Sequence, residues 1–313
     1  MLTTWHQDLF AAVGRWRWLH ALNDSVSAVT QPLYDRYRDN TAVELMHGGR
    51  WAGHALHPAL SDLPIGLWSG AVVLDVLGKD VAANGSRVDP AGALSAAGLV
   101  AAAGAVATGV TDWSVSDGED RRMGLFHGLL NLAGMALQGA SLGARLTGHR
   151  GSARVLSATS LSVTLAASYF GGHLVLGRAA MVNRVAGFTG PSRWVRAMPE
   201  ADLPENTPAG VDVEGRQVLL HRSNGELHAL DNVCSHAAGL LSRGEVTDCV
   251  VTCPLHGSRF DLRTGQILRG PAQHPQPVLP TRVRNGWIEV RGSKPRSRGA
   301  PTKEDQHGMG SGS

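Results

Sequence analysis

At 313 residues the chain has room for two domains of ordinary size. Its 29 basic and 26 acidic residues leave a formal charge of only +3, which argues against a nucleic-acid-binding protein. Three cysteines, all between Cys234 and Cys253, cannot staple a small secreted fold, and the mean hydropathy of −0.07 averages over two unlike halves.

Met1–Leu22 lacks the uninterrupted apolar core of a signal peptide. It sets Leu2, Trp5, Leu9, Val13, Trp16 and Leu19 at helical spacing, with Arg15 and Arg17 beside them. Residues 1–58 are therefore expected to carry an amphipathic helix, lying in a membrane interface or packing on the end of a bundle. Residues 59–178 are expected to form four helices, over about 63–78, 91–110, 124–144 and 155–177. The last three come from uncharged runs of twenty, twenty-one and twenty-three residues. At about 1.5 Å per residue each spans the ~30 Å hydrocarbon core, so a transmembrane four-helix bundle is favoured over buried helices of a soluble domain. The first run is shorter and holds Asp75; Asp62 is its expected N-cap, with Pro64 in the first turn. Ala97, Ala101, Ala105 and Gly109, then Gly124/Gly128 and Gly139/Gly143, offer small faces on which helices associate in lipid. Basic residues near the helix ends favour both termini in the cytoplasm by seven to five.

Residues 179–195 read as a connector, with Gly187, Gly190 and Pro191 as breakers. From 196 to 292 the pattern turns to short β runs: Val218–His221, Leu227–Leu230, Val250–Thr252, Thr281–Val283 and Trp287–Val290. Asn224-Gly225 and Asn285-Gly286 are hairpin dipeptides, so this part is expected to be all-β. Residues 293–313 end in a polar Gly/Ser-rich stretch and are expected to be a disordered tail.

Within the β half stand Cys234-Ser235-His236 and, sixteen residues on, Cys253-Pro254-Leu255-His256. Two thiolates and two imidazoles form a four-ligand metal set, and zinc is the plain alternative. Zinc fingers, however, pair Cys with Cys and His with His along the chain. Here each loop supplies one of each, as two loops clamping a binuclear cluster require, with thiolates on one iron and imidazoles on the other. The run from Cys253 through His256, Gly257 and Ser258 to Pro271 resembles the second cluster loop of the Rieske 2Fe–2S family. That resemblance implies a domain of small antiparallel sheets holding one 2Fe–2S cluster on Cys234, His236, Cys253 and His256, both histidines near solvent. It puts Ser258 where a hydroxyl hydrogen-bonds a cluster sulfur, and Phe260 where high-potential members place a Tyr. Rieske proteins of quinol-oxidising complexes carry two further, bridged cysteines; Gly239 and Leu255 occupy those positions here, leaving Cys249 to pack as a small apolar residue. The pattern is closer to Rieske ferredoxins that feed oxygenases. A complete oxygenase is not expected, because about twenty residues after Arg291 leave no room for its mononuclear iron domain.

The helical half resembles a widespread family of four-helix membrane proteins of unknown function, through Gly53-His54-Ala55-Leu56-His57-Pro58, Asp62–Trp68, Gly109–Trp113, His127 with Asn131, and Gly171-Gly172-His173. Alternation of four spans sets His57, Asp112, His127 and His173 near one membrane face. They are either interfacial polar groups or a haem, metal or quinone site. The expectation is a multi-pass cell-membrane protein with its cluster domain on the cytoplasmic side. It would carry single electrons between redox partner proteins, or a quinone, and contact lipid but no nucleic acid. The alternatives are a redox sensor or assembly factor, or a small membrane oxidoreductase with a second redox centre in the bundle.

Overall fold

The computed structural model describes residues 5–78, 81–83, 86–188 and 190–292. The expected tail, residues 293–313, and Leu2 lie outside them. The chain forms two compact units, Met1–Val182 with Arg269–His274, and the remainder.

The first unit is helical. Helices α1 (Trp5–Gly14), α2 (Arg17–Tyr37), α3 (Thr41–His47) and α4 (Gly49–Ala52) precede α5 (Leu56–Leu77). A short hairpin, β1 (Val81–Ala83) and β2 (Ser86–Val88), leads to α6 (Pro90–Ser114), α7 (Gly118–Leu146) and α8 (Arg150–Gly172), which ends in a π-helical turn, His173–Gly177. The run through Leu19 is not one helix, because extended backbone at Trp16 breaks it (φ −64°, ψ 115°). The break lets Phe10 and Val13 of α1 and Leu19 of α2 bury themselves together with Met123 and Phe170.

Helices α5 to α8 pack in a ring, each against its sequence neighbours, with α5 closing on α8. Helix α5 begins seven residues ahead of its expected start. Pro58 already falls in the first turn of the observed helix, where a missing N–H costs nothing, so Ala55 is the N-cap; Asp62 and Pro64 lie inside the helix. At α6 the cap is Asp89, whose carboxylate accepts the Gly92 N–H at 2.9 Å, with Pro90 at the first position.

The close-packing residues match the expected stripes in part: Ala105 is buried, and Gly109 and Gly124 lie against His57 and Trp113. Ala97 is exposed, while Ser95, Gly98, Ala102, Ala105, Thr108 and Asp112 are buried. A strict four-residue repeat drifts around a helix of 3.6 residues per turn, whereas alternating steps of three and four hold one face. Gly128, Gly139 and Gly143 face open space; Gly98 lies against Trp68 and Gly134 against Thr164.

Polarity in the bundle runs inside out. Gln138 is fully buried and donates to Ser95 Oγ (2.7 Å), and Ser160 donates to the Gly134 carbonyl (2.7 Å). Val73, Val76, Val100, Val110, Leu132, Val155 and Leu165 are exposed. At the end where α5 and α7 finish, Arg145 is paired with Asp75 and Asp89. Two helices among the described residues, α5 and α6, are long and apolar enough to cross a membrane. Helices α7 and α8 are also long and largely uncharged, but Gly, Ser, Thr, Asn and Gln make them less apolar than α5 and α6.

The second unit is built of small antiparallel sheets. Strands β4 (Ala209–Val213), β5 (Arg216–Ser223) and β6 (Glu226–Asp231) form one, and β11 (Thr281–Arg284), β12 (Trp287–Val290) and β3 (Val195–Pro199) a second. The third runs β10 (Ile267–Arg269), β9 (Arg259–Asp261), β8 (Val250–Thr252) and β7 (Glu245–Thr247). Val213, Val218, Leu220, Leu279, Ile288 and Val290 are the core between the first two. Both Asn-Gly dipeptides turn with positive φ at each residue, as two-residue hairpins require. Glu214-Gly215 and Asp248-Cys249 do the same without that signature.

Candidate metal centre

Two loops of one backbone design carry the candidate ligands. The first follows β6, the second follows β8. In each, the cysteine N–H donates to the carbonyl five residues on: Cys234 to Gly239 (2.9 Å) and Cys253 to Ser258 (2.8 Å). In each, the N–H four residues on returns to the cysteine carbonyl, Ala238 to Cys234 and Gly257 to Cys253, both at 3.0 Å. Ala238 and Gly257 both take left-handed backbone (φ 61° and 72°), which glycine meets without cost and alanine does not. Asn232 braces the first loop, accepting the Ser242 N–H (2.7 Å) and donating to Ser242 Oγ (3.0 Å). Gln276 donates to the Val233 carbonyl from outside it.

The turns aim backbone N–H groups at the sulfurs. Those of His236 and Ala237 reach Cys234, and those of Leu255 and His256 reach Cys253. The two buried thiols share one hydrogen bond. Accepting it holds the Cys253 thiol down at about 6, and donating it, with burial, pushes Cys234 up. The rings of His236 and His256 stand perpendicular with centroids 5.0 Å apart. His236 is buried (7% exposed) and His256 half-buried, so of the two expected near solvent only the second is partly open.

Gly239 and Leu255 face each other across the loops. A Cβ on Gly239 would stand 2.8 Å from Leu255 Cγ and 3.1 Å from Cys253 Sγ. Ser258 and Phe260 are fully buried. Cys249 does not pack as an apolar residue: it forms the β7–β8 turn at φ 61°, half-buried, its sulfur 3.9 Å from His228 Nε2. The turn's demand for left-handed backbone decides its place.

The helical residues singled out from sequence do not gather at one point. His57 and His127 meet, ring centroids 6.1 Å apart. Asp112 is instead bonded to Nδ1 of His47 (3.2 Å), whose Nε2 meets the Tyr34 hydroxyl (2.9 Å). His173 stacks on Phe10, centroids 3.6 Å apart. His47 has no sequence signal of its own, since its partner lies 65 residues away. Among the described residues no three His, Cys, Asp or Glu side chains surround one ion. Two thiols in one pair and two imidazoles in another suit a binuclear group, in which each iron takes two protein ligands. The inward N–H groups suit the anionic sulfurs such a group carries.

Residues 193–281 match the Rieske [2Fe–2S] domain model, and residues 53–184 match that of a predicted membrane protein family (DUF2231). The ferredoxin component of the naphthalene 1,2-dioxygenase system of Pseudomonas putida is 34% identical over 93 residues, 30% of this chain and 89% of that one. Sulredoxin of Sulfurisphaera tokodaii is 35% identical over 105 residues, 31% of this chain and 96% of its own. Among solved structures, the ferredoxin of carbazole 1,9a-dioxygenase from Nocardioides aromaticivorans is 32% identical, covering 33% of this chain and all of that one, with a TM-score of 0.31. With its paired Cys/His loops, the chain belongs to the Rieske [2Fe–2S] family, its cluster domain fused behind a DUF2231 predicted membrane domain.

Proposed function

We propose that this protein is a membrane-anchored Rieske electron carrier, with the cluster held by Cys234 and Cys253 on one iron and His236 and His256 on the other. The observation that carries the reading is the pair of matching loops with N–H groups aimed at both sulfurs. When bound, a 2Fe–2S group takes up and returns a single electron. The chain's own residues bury the thiolates, offset their charge with four backbone N–H groups, and leave His256 as the partly open ligand. Neither 239 nor 255 is a cysteine, so hydrogen bonds rather than a disulfide hold the loops, which suits a reducing compartment. Redox proteins are the proposed donor and acceptor, by analogy with the ferredoxin components that this domain resembles.

Anchoring rests on three observations: two helices of spanning length, the inside-out polarity of the bundle, and the match to a predicted membrane family. The proposal extends to all four helices as a multi-pass bundle, with both termini and the cluster domain in the cytoplasm.

The test is anaerobic purification from membranes in detergent. Two irons and two acid-labile sulfides per chain are expected, with a rhombic paramagnetic spectrum on reduction. His256→Ala should abolish that spectrum. Stoichiometric zinc without iron, or recovery of the chain from the soluble fraction, would overturn the corresponding half of the reading.

A further inference from the structure

The α5–α6 and α7–α8 pairs share a pattern of identities. Sliding α7 onto α5 so that His127 meets His57 also brings Leu130 onto Leu60, Leu137 onto Leu67 and the helix-ending Gly148 onto Gly78. Sliding α8 onto α6 superposes Ser157 on Ser95, Ala167 on Ala105 and Gly171 on Gly109. The contacts repeat as well. Nδ1 of His57 meets the Ala105 carbonyl at 2.8 Å, and Nδ1 of His127 meets the Ala167 carbonyl at 2.8 Å. Gly109 makes room for the first ring and Gly171 for the second: a Cβ at either would stand 2.8 or 2.9 Å from the ring's Cε1. Both Gly78 and Gly148 end their helices in left-handed backbone. The ring of contacts α5·α6, α6·α7, α7·α8, α8·α5 maps onto itself when the two pairs are exchanged.

Equivalent positions of such a duplicated bundle meet their counterparts across its middle. Asp75 and Arg145 are equivalent and pair with each other at one end; His57 and His127 are equivalent and meet at the other. A carbonyl only accepts, so each Nδ1 must carry the proton, and each Nε2 is left with its lone pair. This is how proteins fix an imidazole for metal: the remote nitrogen is tied to a carbonyl and the near one is held ready. In this structure the Nε2 lone pair of His127 accepts the Asn131 amide N–H at 3.1 Å, a bond that a metal on that nitrogen would displace. Two imidazoles on opposite sides of one metal, with nitrogens about 2.0–2.1 Å from it, have ring centroids roughly 6.3 Å apart; here they are 6.1 Å apart.

We infer that the helical domain is a tandem duplication of a two-helix unit, and that His57 and His127 form a bis-imidazole site for a transition-metal centre. Two protein ligands suffice for a haem iron; a bare ion would complete its shell with water. Asp112 and His173 do not belong to this site, since His47 and Phe10 hold them.

The test uses the full chain purified in detergent and titrated with haemin, and separately with Zn²⁺ alone and Cu²⁺ alone. Binding of one equivalent beyond the metal of the cluster domain is expected. A Soret band with a low-spin haem spectrum identifies the porphyrin, and calorimetric binding of the ion without it identifies a bare metal. His57→Gln and His127→Gln keep a donor for the carbonyl but remove the imidazole, and each should weaken binding at least tenfold; His173→Gln should not. Electron spin-echo spectroscopy of the unsubstituted protein with haem iron or Cu²⁺ bound should show two imidazole nitrogens on the metal. No binding beyond the cluster domain, binding indifferent to both glutamine variants, or fewer than two imidazoles would overturn the inference. None of these residues lies in the cluster loops, so the outcome is independent of the cluster assignment.

Discussion

In the proposed cluster environment two single positions matter: Ser258, whose hydroxyl the resemblance puts on a cluster sulfur, and Gly239. A hydroxyl on a cluster sulfur stabilises the reduced, more negative state and raises its potential. A hydrogen bond to a charged acceptor nets about 1.5–3 kcal/mol, of which only the difference between oxidation states is felt, and about 1.4 kcal/mol is roughly 59 mV for one electron. Ser258→Ala should therefore lower the potential by several tens of millivolts in a redox titration, with Phe260 supplying no second hydroxyl. At Gly239 the issue is space. A methyl there meets Leu255 Cγ and Cys253 Sγ inside normal contact distance. Gly239→Ala should cost about 1–3 kcal/mol and lower iron content. Adding Leu255→Ala should recover only part, because the sulfur contact persists. Equal iron content in Gly239→Ala and the parent protein would remove the argument.

At the scale of elements, turns fix the registers on which the loops depend. Asp261 ends β9 and holds the turn to β10: its carboxylate accepts the N–H groups of Arg263 (2.8 Å) and Thr264 (3.0 Å) and the Arg263 guanidinium (2.7 Å). The guanidinium first, then the two N–H groups, hold this carboxyl below its usual range. A depressed carboxyl contributes stability that is present above its unfolded pKa and is lost as pH falls through the lower, folded one. Asp261→Asn should cost about 1 kcal/mol at neutral pH, and the gap to the parent protein should close on acidification; thermal unfolding against pH measures both. The Asp248-Cys249 turn asks for left-handed backbone at a cysteine. Cys249→Asn suits that conformation better and should raise stability by about 0.5 kcal/mol without changing the cluster spectrum.

Across the whole helical unit, polar pairs tie the helices together, as the proposed lipid setting, where hydrophobicity does not, requires. Arg145 of α7 reaches Asp75 of α5 and Asp89 at the start of α6, with the Arg145 and Asp75 side chains 6% and 8% exposed. Removing Arg145 leaves the buried Asp75 carboxylate to the exposed Arg154 guanidinium at 3.9 Å, so Arg145→Ala should cost about 3 kcal/mol in detergent-stability measurements. Arg145→Met with Asp75→Asn should recover most of it, because no buried charge is then left alone. A double variant as unstable as the single one would show that the pair is needed for more than charge balance.

How much of this could be read from the chain alone differs between the halves. Cys234, His236, Cys253 and His256 lie in two tight loops, so sequence spacing alone places each cysteine beside its histidine. Asn224-Gly225 and Asn285-Gly286 mark hairpins for the same local reason, since only certain residues adopt positive φ. The helical half was legible in its count of long uncharged runs but not in its faces or its starts. Pro58, not Asp62, marks where α5 begins, and of the small-residue stripes Ala105, Gly109 and Gly124 pack closely while Ala97, Gly128, Gly139 and Gly143 do not, because spacing does not reveal which neighbour a face meets. His57 and His127 are 70 positions apart in the chain, with nothing local to link them. Their meeting, like the pairing of Asp112 with His47, was decided only by the packing of the helices, because a contact across a bundle depends on the rotation of each helix about its axis, which the tertiary structure sets.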